Sequence, residues 1–192
     1  MLFVSRRTEM KTSAADGFSL IEVLISIFVL TVGVIGAASM QLTALQTSRW
    51  SAFQTTALHL ALEMADHIRS HSRQIQSGDM SNPYLAIDYQ IPYHHPAINC
   101  YGREVNCDAG ELAQFEIALW LKRVSKELPA ARVRVCRDMQ PWDAGRRRYT
   151  WNCTESSGAN SNPLIFIKIG WPEQNAADSD FPPVLVLPVA LR

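Results

Sequence analysis

The chain has 192 residues, with 18 Lys+Arg against 18 Asp+Glu and a formal net charge of zero. That length suits one soluble domain plus one further element. The charge balance offers no overall basicity to favour nucleic acid or an acidic surface as partner.

In chain order, the first 16 residues carry Arg6, Arg7 and Lys11 against Glu9 and Asp16 and read as a short disordered leader. From Phe18 to Met40 there follow 23 residues with a single charge, Glu22. A helix needs roughly 20 apolar residues, at about 1.5 Å each, to cross the hydrocarbon core. This stretch therefore spans a membrane or packs into an equally apolar helical bundle. A carboxylate inside it costs on the order of 2.5–3.5 kcal/mol, which marks Glu22 as a functional residue by default. The basic residues ahead of the span predict a cytoplasmic leader with the bulk of the chain on the far side.

Gly17-Phe18-Ser19-Leu20-Ile21-Glu22 and its apolar continuation resemble the processing and assembly signal of type IV pilins and the related pseudopilins. The resemblance implies cleavage between Gly17 and Phe18 by a membrane peptidase, N-methylation of Phe18, and a docking role for Glu22 during filament growth. Glycine suits a cleavage point, since it reaches extended, unhindered backbone shapes. The 17-residue leader is longer than many in that family, and Asp16 stands where a basic residue is common. A secretory signal cut near Gly36-Ala37-Ala38 is the competing reading, but the apolar run exceeds the 7–15 residues of a signal core. A plain single-pass anchor is the other, and hydropathy alone does not separate it. Removal of residues 1–17 leaves the remainder one charge negative.

The helix is expected to continue to Ser77, because no Pro or Gly interrupts residues 38–77. Leu58, Leu62, Ala65 and Ile68 recur at helical spacing, with Glu63, Asp66, Arg69 and Arg73 around them. Gly78-Asp79 and Asn82-Pro83 stop it. One helix of about 60 residues results, with Gly33 and Gly36 as its weak points at about 1 kcal/mol each against Ala. Residues 78–108 read as loop. Asp108 caps a second helix from about Gly110 to Leu128, ended by Pro129, with Ile117, Trp120, Leu121, Val124 and Leu128 on one core-facing stripe. Four strands are then predicted, over Arg132–Cys136, Tyr149–Cys153, Leu164–Trp171 and Val184–Leu191. Pro188 sends the last of them to an edge or a bulge. The fold class is α+β: a pilin-like roll in which a long N-terminal transmembrane helix packs on a small antiparallel sheet, with a second helix in the connection. The parts are a leader (1–17), a membrane or filament-core helix half (18–40), an amphipathic half (41–77) and a periplasmic globular domain (78–192).

Three later segments resemble the minor pilins of the type IV pilus: Ala61–Arg69, Trp120–Pro129 with the strand after it, and Ile165–Trp171. Residues 78–107 and 138–162 resemble nothing further. The family resemblance implies as partners other minor and major pilins, the prepilin peptidase and N-methyltransferase, and an inner-membrane assembly platform, with residence first in the inner membrane and then in the pilus.

The cysteines stand at 100, 107, 136 and 153 in what is expected to be an oxidising compartment, so disulfides are the default. Of three pairings, Cys100–Cys107 with Cys136–Cys153 is favoured, since each closes a local loop and the second joins neighbouring strands. No C-x-x-C spacing supports zinc. His94-His95 beside Tyr93 is read as a solvated loop rather than a metal site. Arg146-Arg147-Arg148, with Trp142, Tyr149 and Trp151, is the best basic-aromatic cluster, of the kind that binds single-stranded nucleic acid. Asp138, Asp143 and Glu155 dilute it. Asp178 and Asp180 read as turn residues. No nucleophile elbow, P-loop, dinucleotide fingerprint or H-E-x-x-H occurs, so neither enzyme chemistry nor a cofactor is expected. The rivals are a type II secretion pseudopilin, a DNA-uptake subunit using Arg146, Arg147 and Arg148, and a membrane-anchored enzyme for which no site is visible.

Overall fold

A computed structural model describes residues 17, 19–76, 82–90, 99–102, 106–154, 163–172 and 181–191. Residues 1–16 of the leader, Phe18, Ser77, Gly78-Asp79, Tyr93, His94-His95, Glu155, Asp178 and Asp180 lie outside the described residues. The chain divides after Ser48 into two compact units, 1–48 and 49–192.

Helix α1 spans Leu20–Ser70 and runs unbroken through Gly33 and Gly36. In the first unit every described residue is exposed, with Leu20 at 82% and Leu30 at 66%. Hydroxyls along this half bond back to the helix itself: Ser26 to the Glu22 carbonyl at 2.7 Å, Thr31 to Phe28 at 2.7 Å, Ser39 to Gly36 at 2.8 Å. Such bonds leave few polar groups that need water, as an apolar surrounding demands.

In the second unit α1 buries Ala57, Leu60, Ala61, Met64, Ala65 and Ile68. The core stripe is thus turned from the one predicted. Leu58 and Leu62 sit on its rim at 41% and 42% exposure, because three alanines rather than leucines occupy the positions of closest approach. The helix is also shorter than predicted. It breaks at His71, after which α2 covers only Ser72–Gln76. The cause is competition for one acceptor. The His67 carbonyl takes the Ser70 hydroxyl at 2.7 Å and the His71 backbone N–H at 3.3 Å, and His71 Nδ1 lies 3.0 Å from it. Side-chain bonds of this kind loosen the i→i−4 ladder.

A short 3-10 turn over Pro83–Leu85 leads to β1 (Asp88–Gln90), a strand inside the region read as loop. Three residues are too few for alternation to show. Helix α3 (Ala109–Glu127) starts in a full capping box, in which Asp108 accepts from the Glu111 N–H at 2.8 Å and Glu111 from the Asp108 N–H at 3.0 Å. Its face Ile117, Trp120, Leu121 and Val124 is buried, and the Trp120 indole N–H reaches the Leu60 carbonyl of α1 at 3.0 Å. Two buried faces and a satisfied buried donor fix α3 against α1.

Strands β2 (Arg132–Asp138), β5 (Leu164–Gly170) and β6 (Leu185–Val189) join β1 in an antiparallel sheet of order β1-β2-β5-β6. Pro188 lies on the β6 edge, where its missing N–H interrupts no interior ladder. Val133, Val135, Ile165, Ile167 and Ile169 form the core-side face. The predicted strand over 149–153 does not form. Instead β3 (Trp142–Asp143) and β4 (Arg148–Tyr149) make a separate two-stranded hairpin, and residues 150–153 cover the opposite face of β5. The Thr150 and Asn152 carbonyls go to a side chain rather than to a ladder. The result is the α+β, pilin-like architecture: a long N-terminal helix, a second helix and a small antiparallel sheet.

Candidate functional site

Two places carry groups that the packing leaves without partners. The first is the start of α1. Gly17 is exposed, with open space where a side chain would stand. Ser19 begins the helix by accepting from the N–H groups of Glu22 at 3.0 Å and Val23 at 3.3 Å. Glu22 therefore sits in the first turn, where the positive helix end favours a carboxylate. It is exposed among apolar neighbours, and no described residue pairs with its carboxylate. The contrast with Ser26, Thr31 and Ser39, each bonded within the helix, singles it out.

The second place is the hairpin that holds the arginine triplet. Asp143 Oδ1 accepts from the Arg146 N–H at 3.0 Å, closing a tight turn in which Arg147 takes a positive φ of 52°. That bond, helped by the Gly145 N–H and the charges of Arg146 and Arg148, holds the Asp143 carboxyl below its ordinary pKa. The triplet does not act as a block. Arg146 and Arg148 line a cavity of about 190 Å³ together with Arg132, Tyr149 and Trp151, while Arg147 stands outside it. Trp142 meets Tyr149 edge to face at 5.0 Å on the exposed hairpin.

The wall of this cavity is firmly held. Lys168 and Asp138, both fully buried, pair at 2.5 Å. The Lys168 ammonium also donates to the carbonyls of Thr150 at 3.0 Å and Asn152 at 2.5 Å. Asp138 Oδ1 accepts from the N–H groups of Gln140 and Thr154 at 2.9 and 3.1 Å. Burial pulls the Lys168 pKa down, and the Asp138 bond and charge pull it partly back. The disulfide Cys136–Cys153 ties the same segment to β2, and Cys100–Cys107 closes the loop before α3. Neither Lys168 nor Arg132 was singled out from sequence. A lone lysine inside Leu164–Gly170, a strand otherwise without charge, is the signal that a buried partner must exist.

Among the described residues no cluster of His, Cys, Asp or Glu suits a metal ion.

The sequence model of the prokaryotic N-terminal methylation motif matches residues 13–38, indicating a prepilin-like, processed N-terminus. The match covers the start of α1 and the residues just ahead of it. The apolar α1, the one described helix with the length and composition to cross a membrane, agrees with a pilin anchored in the inner membrane. Neither the curated proteins nor the solved structures give a match to the chain.

Proposed function

We propose that the chain is a minor pilin: a membrane-inserted precursor, cut between Gly17 and Phe18, methylated on Phe18 and built into a type IV pilus. The observation that carries this reading is a methylation motif running into a helix half with no covering surface and one unpartnered carboxylate, Glu22. In the precursor the leader lies in the cytoplasm and the domain in the periplasm. During assembly the apolar half leaves lipid for a bundle of like helices. There Glu22 pairs with the positive N-terminal amine of a neighbouring Phe18. Two charges brought together in a low-dielectric bundle recover part of their desolvation cost, and their pairing fixes the axial register. Likeness of Ala61–Arg69, Trp120–Pro129 and Ile165–Trp171 to the minor pilin PilV supports a priming or tip position, in which the domain contacts other minor and major pilins.

Intact mass and N-terminal sequencing of protein from membranes, with and without the prepilin peptidase, test the processing. A chain starting at methylated Phe18 only when the peptidase is present is the expected result; an uncut chain, or one beginning after Ala38, overturns it. Glu22→Ala is expected to leave processing intact and to lower incorporation into sheared pili, and unchanged incorporation refutes the docking role. Loss of twitching with secretion intact on deletion assigns the subunit to a pilus rather than to a type II secretion pseudopilus.

A further inference from the structure

We infer that the cavity between β4, residues 150–152 and Phe181-Pro182 is a receptor for an oxyanion, a phosphate or carboxylate group carried by a small ligand. Among the described residues three guanidinium groups line it and no acidic side chain does. Among the described residues Arg132 and Arg148 have no ion pair, and Arg146 has only Asp143 at 3.6 Å, with its own side chain 70% exposed. Like charge gathered around one hollow, with Asp143 on its margin, favours entry of an anion.

Arg132 adds a second, independent sign. Its guanidinium lies 4.6 Å over the Trp151 ring, and its Nε is buried with no hydrogen-bond partner among the described residues. A buried, unsatisfied donor on a charged group is uncommon unless something else completes the site. The planar fork of arginine matches the two oxygens of a carboxylate or phosphate, so the donor set selects for oxyanions over neutral ligands. The volume is below the roughly 300 Å³ at which drug-sized pockets begin, which limits the occupant to the anionic group and a small body behind it.

The walls are set before any ligand arrives. Trp151 is pinned by its indole N–H on the Phe181 carbonyl at 2.6 Å and packs where Gly170 has no side chain. Lys168 holds the backbone at 150 and 152 from below. An indole and a backbone held in this way preorganise the floor over which the three arginines stand. This inference stands independently of the assembly reading.

The test uses the full chain in uncharged detergent micelles at constant ionic strength. Inorganic phosphate is titrated by ³¹P line width and acetate by ¹³C line width, and each is added as competitor to the other. Saturable phosphate binding is expected, weakened roughly tenfold or more by Arg148→Gln, the loss of one charge-assisted bond. Arg132→Gln is expected to weaken it as well, and Arg147→Gln, outside the cavity, to leave it unchanged. Competition by acetate assigns the shared oxyanion chemistry; binding of phosphate without competition assigns a phosphate-bearing ligand, and of acetate alone a carboxylate. Absence of saturable binding to both anions overturns the inference. So does binding that Arg148→Gln and Arg132→Gln leave intact, and so does binding of a single-stranded oligonucleotide with neither small anion held.

Discussion

Replacing Lys168 by Met is the sharpest probe of how the domain holds its outer wall. The substitution keeps most of the side-chain length and removes only the ammonium. Both members of the Lys168–Asp138 pair are 0% exposed, so solvent cannot take over either charge. Without Lys168 the Asp138 carboxylate keeps two bonds on Oδ1, from Gln140 and Thr154, but Oδ2 is left bare. The carbonyls of Thr150 and Asn152 lose the same donor. Removing one partner of a buried pair typically costs about 3–5 kcal/mol. At roughly 2–4 °C per kcal/mol for a domain of this size, the expected fall in Tm is about 6–20 °C. Near-UV circular dichroism is the right assay, because all five tryptophans lie within residues 49–192 and none in the apolar half of α1. Lys168→Met with Asp138→Asn is expected to recover much of the loss, since the neutral amide oxygen still serves the two N–H groups while the stranded charge is gone. A single mutant within about 1 kcal/mol of the parent, or a double mutant no better than the single, refutes the interior role given to this pair.

Gly170→Ala is expected to lower stability by about 1–3 kcal/mol, because the new Cβ would sit 2.9 Å from the Pro182 carbonyl and 2.9 Å from the Trp151 ring; chemical denaturation checks it, and an unchanged midpoint refutes the close packing. Tyr84 is held above its ordinary pKa of 10.0 by burial first and then by the hydrogen bond and charge of Glu116. Its phenol resists ionisation in the fold, so its contribution is whole below pH 10 and is lost as pH rises through the higher folded pKa. Tyr84→Phe is therefore expected to flatten the alkaline fall in stability, at a cost of about 1 kcal/mol at neutral pH for the lost bond to Glu116 at 2.7 Å. Melting curves between pH 8 and 12 in both proteins check it, and parallel falls refute it.

Elements with a strong local period were legible in the sequence, and those decided by distant partners were not. Asp108 capping and the stripe from Ile117 to Leu128 follow from local periodicity, and α3 formed within a residue of its predicted limits. The apolar run set the path of α1 through both glycines. The face α1 buries was half read: Ala65 and Ile68 are buried as expected, whereas Leu58 and Leu62 stand at the rim and the less hydrophobic Ala57 and Ala61 are buried instead. The 149–153 segment alternates like a strand, yet its Thr150 and Asn152 carbonyls are claimed by Lys168, 18 and 16 positions away in sequence. Tertiary partners overrode pattern there. The cavity was half legible for the same reason. Arg146 and Arg148 stand out as a run, whereas Arg132 and Trp151 join them only through the sheet and the hairpin.

The polar groups of this chain sort by whether the fold completes them, and that sorting separates structure from function more sharply than residue type does. Lys168 has three acceptors and Asp138 three donors, although both are buried as deeply as any leucine; such a closed set locks a wall and asks for nothing more. The hydroxyls of Ser26, Thr31 and Ser39 are likewise closed on the helix. Among the described residues Glu22 and Arg132 stand apart as charged groups, one a carboxylate alone on an apolar surface and the other a guanidinium with a buried, unanswered N–H, a lack it shares with the neutral Trp171 indole. An open polar group of this kind is where a partner from outside the chain is to be sought, which is why the proposed docking role falls on Glu22 and the inferred anion site on Arg132.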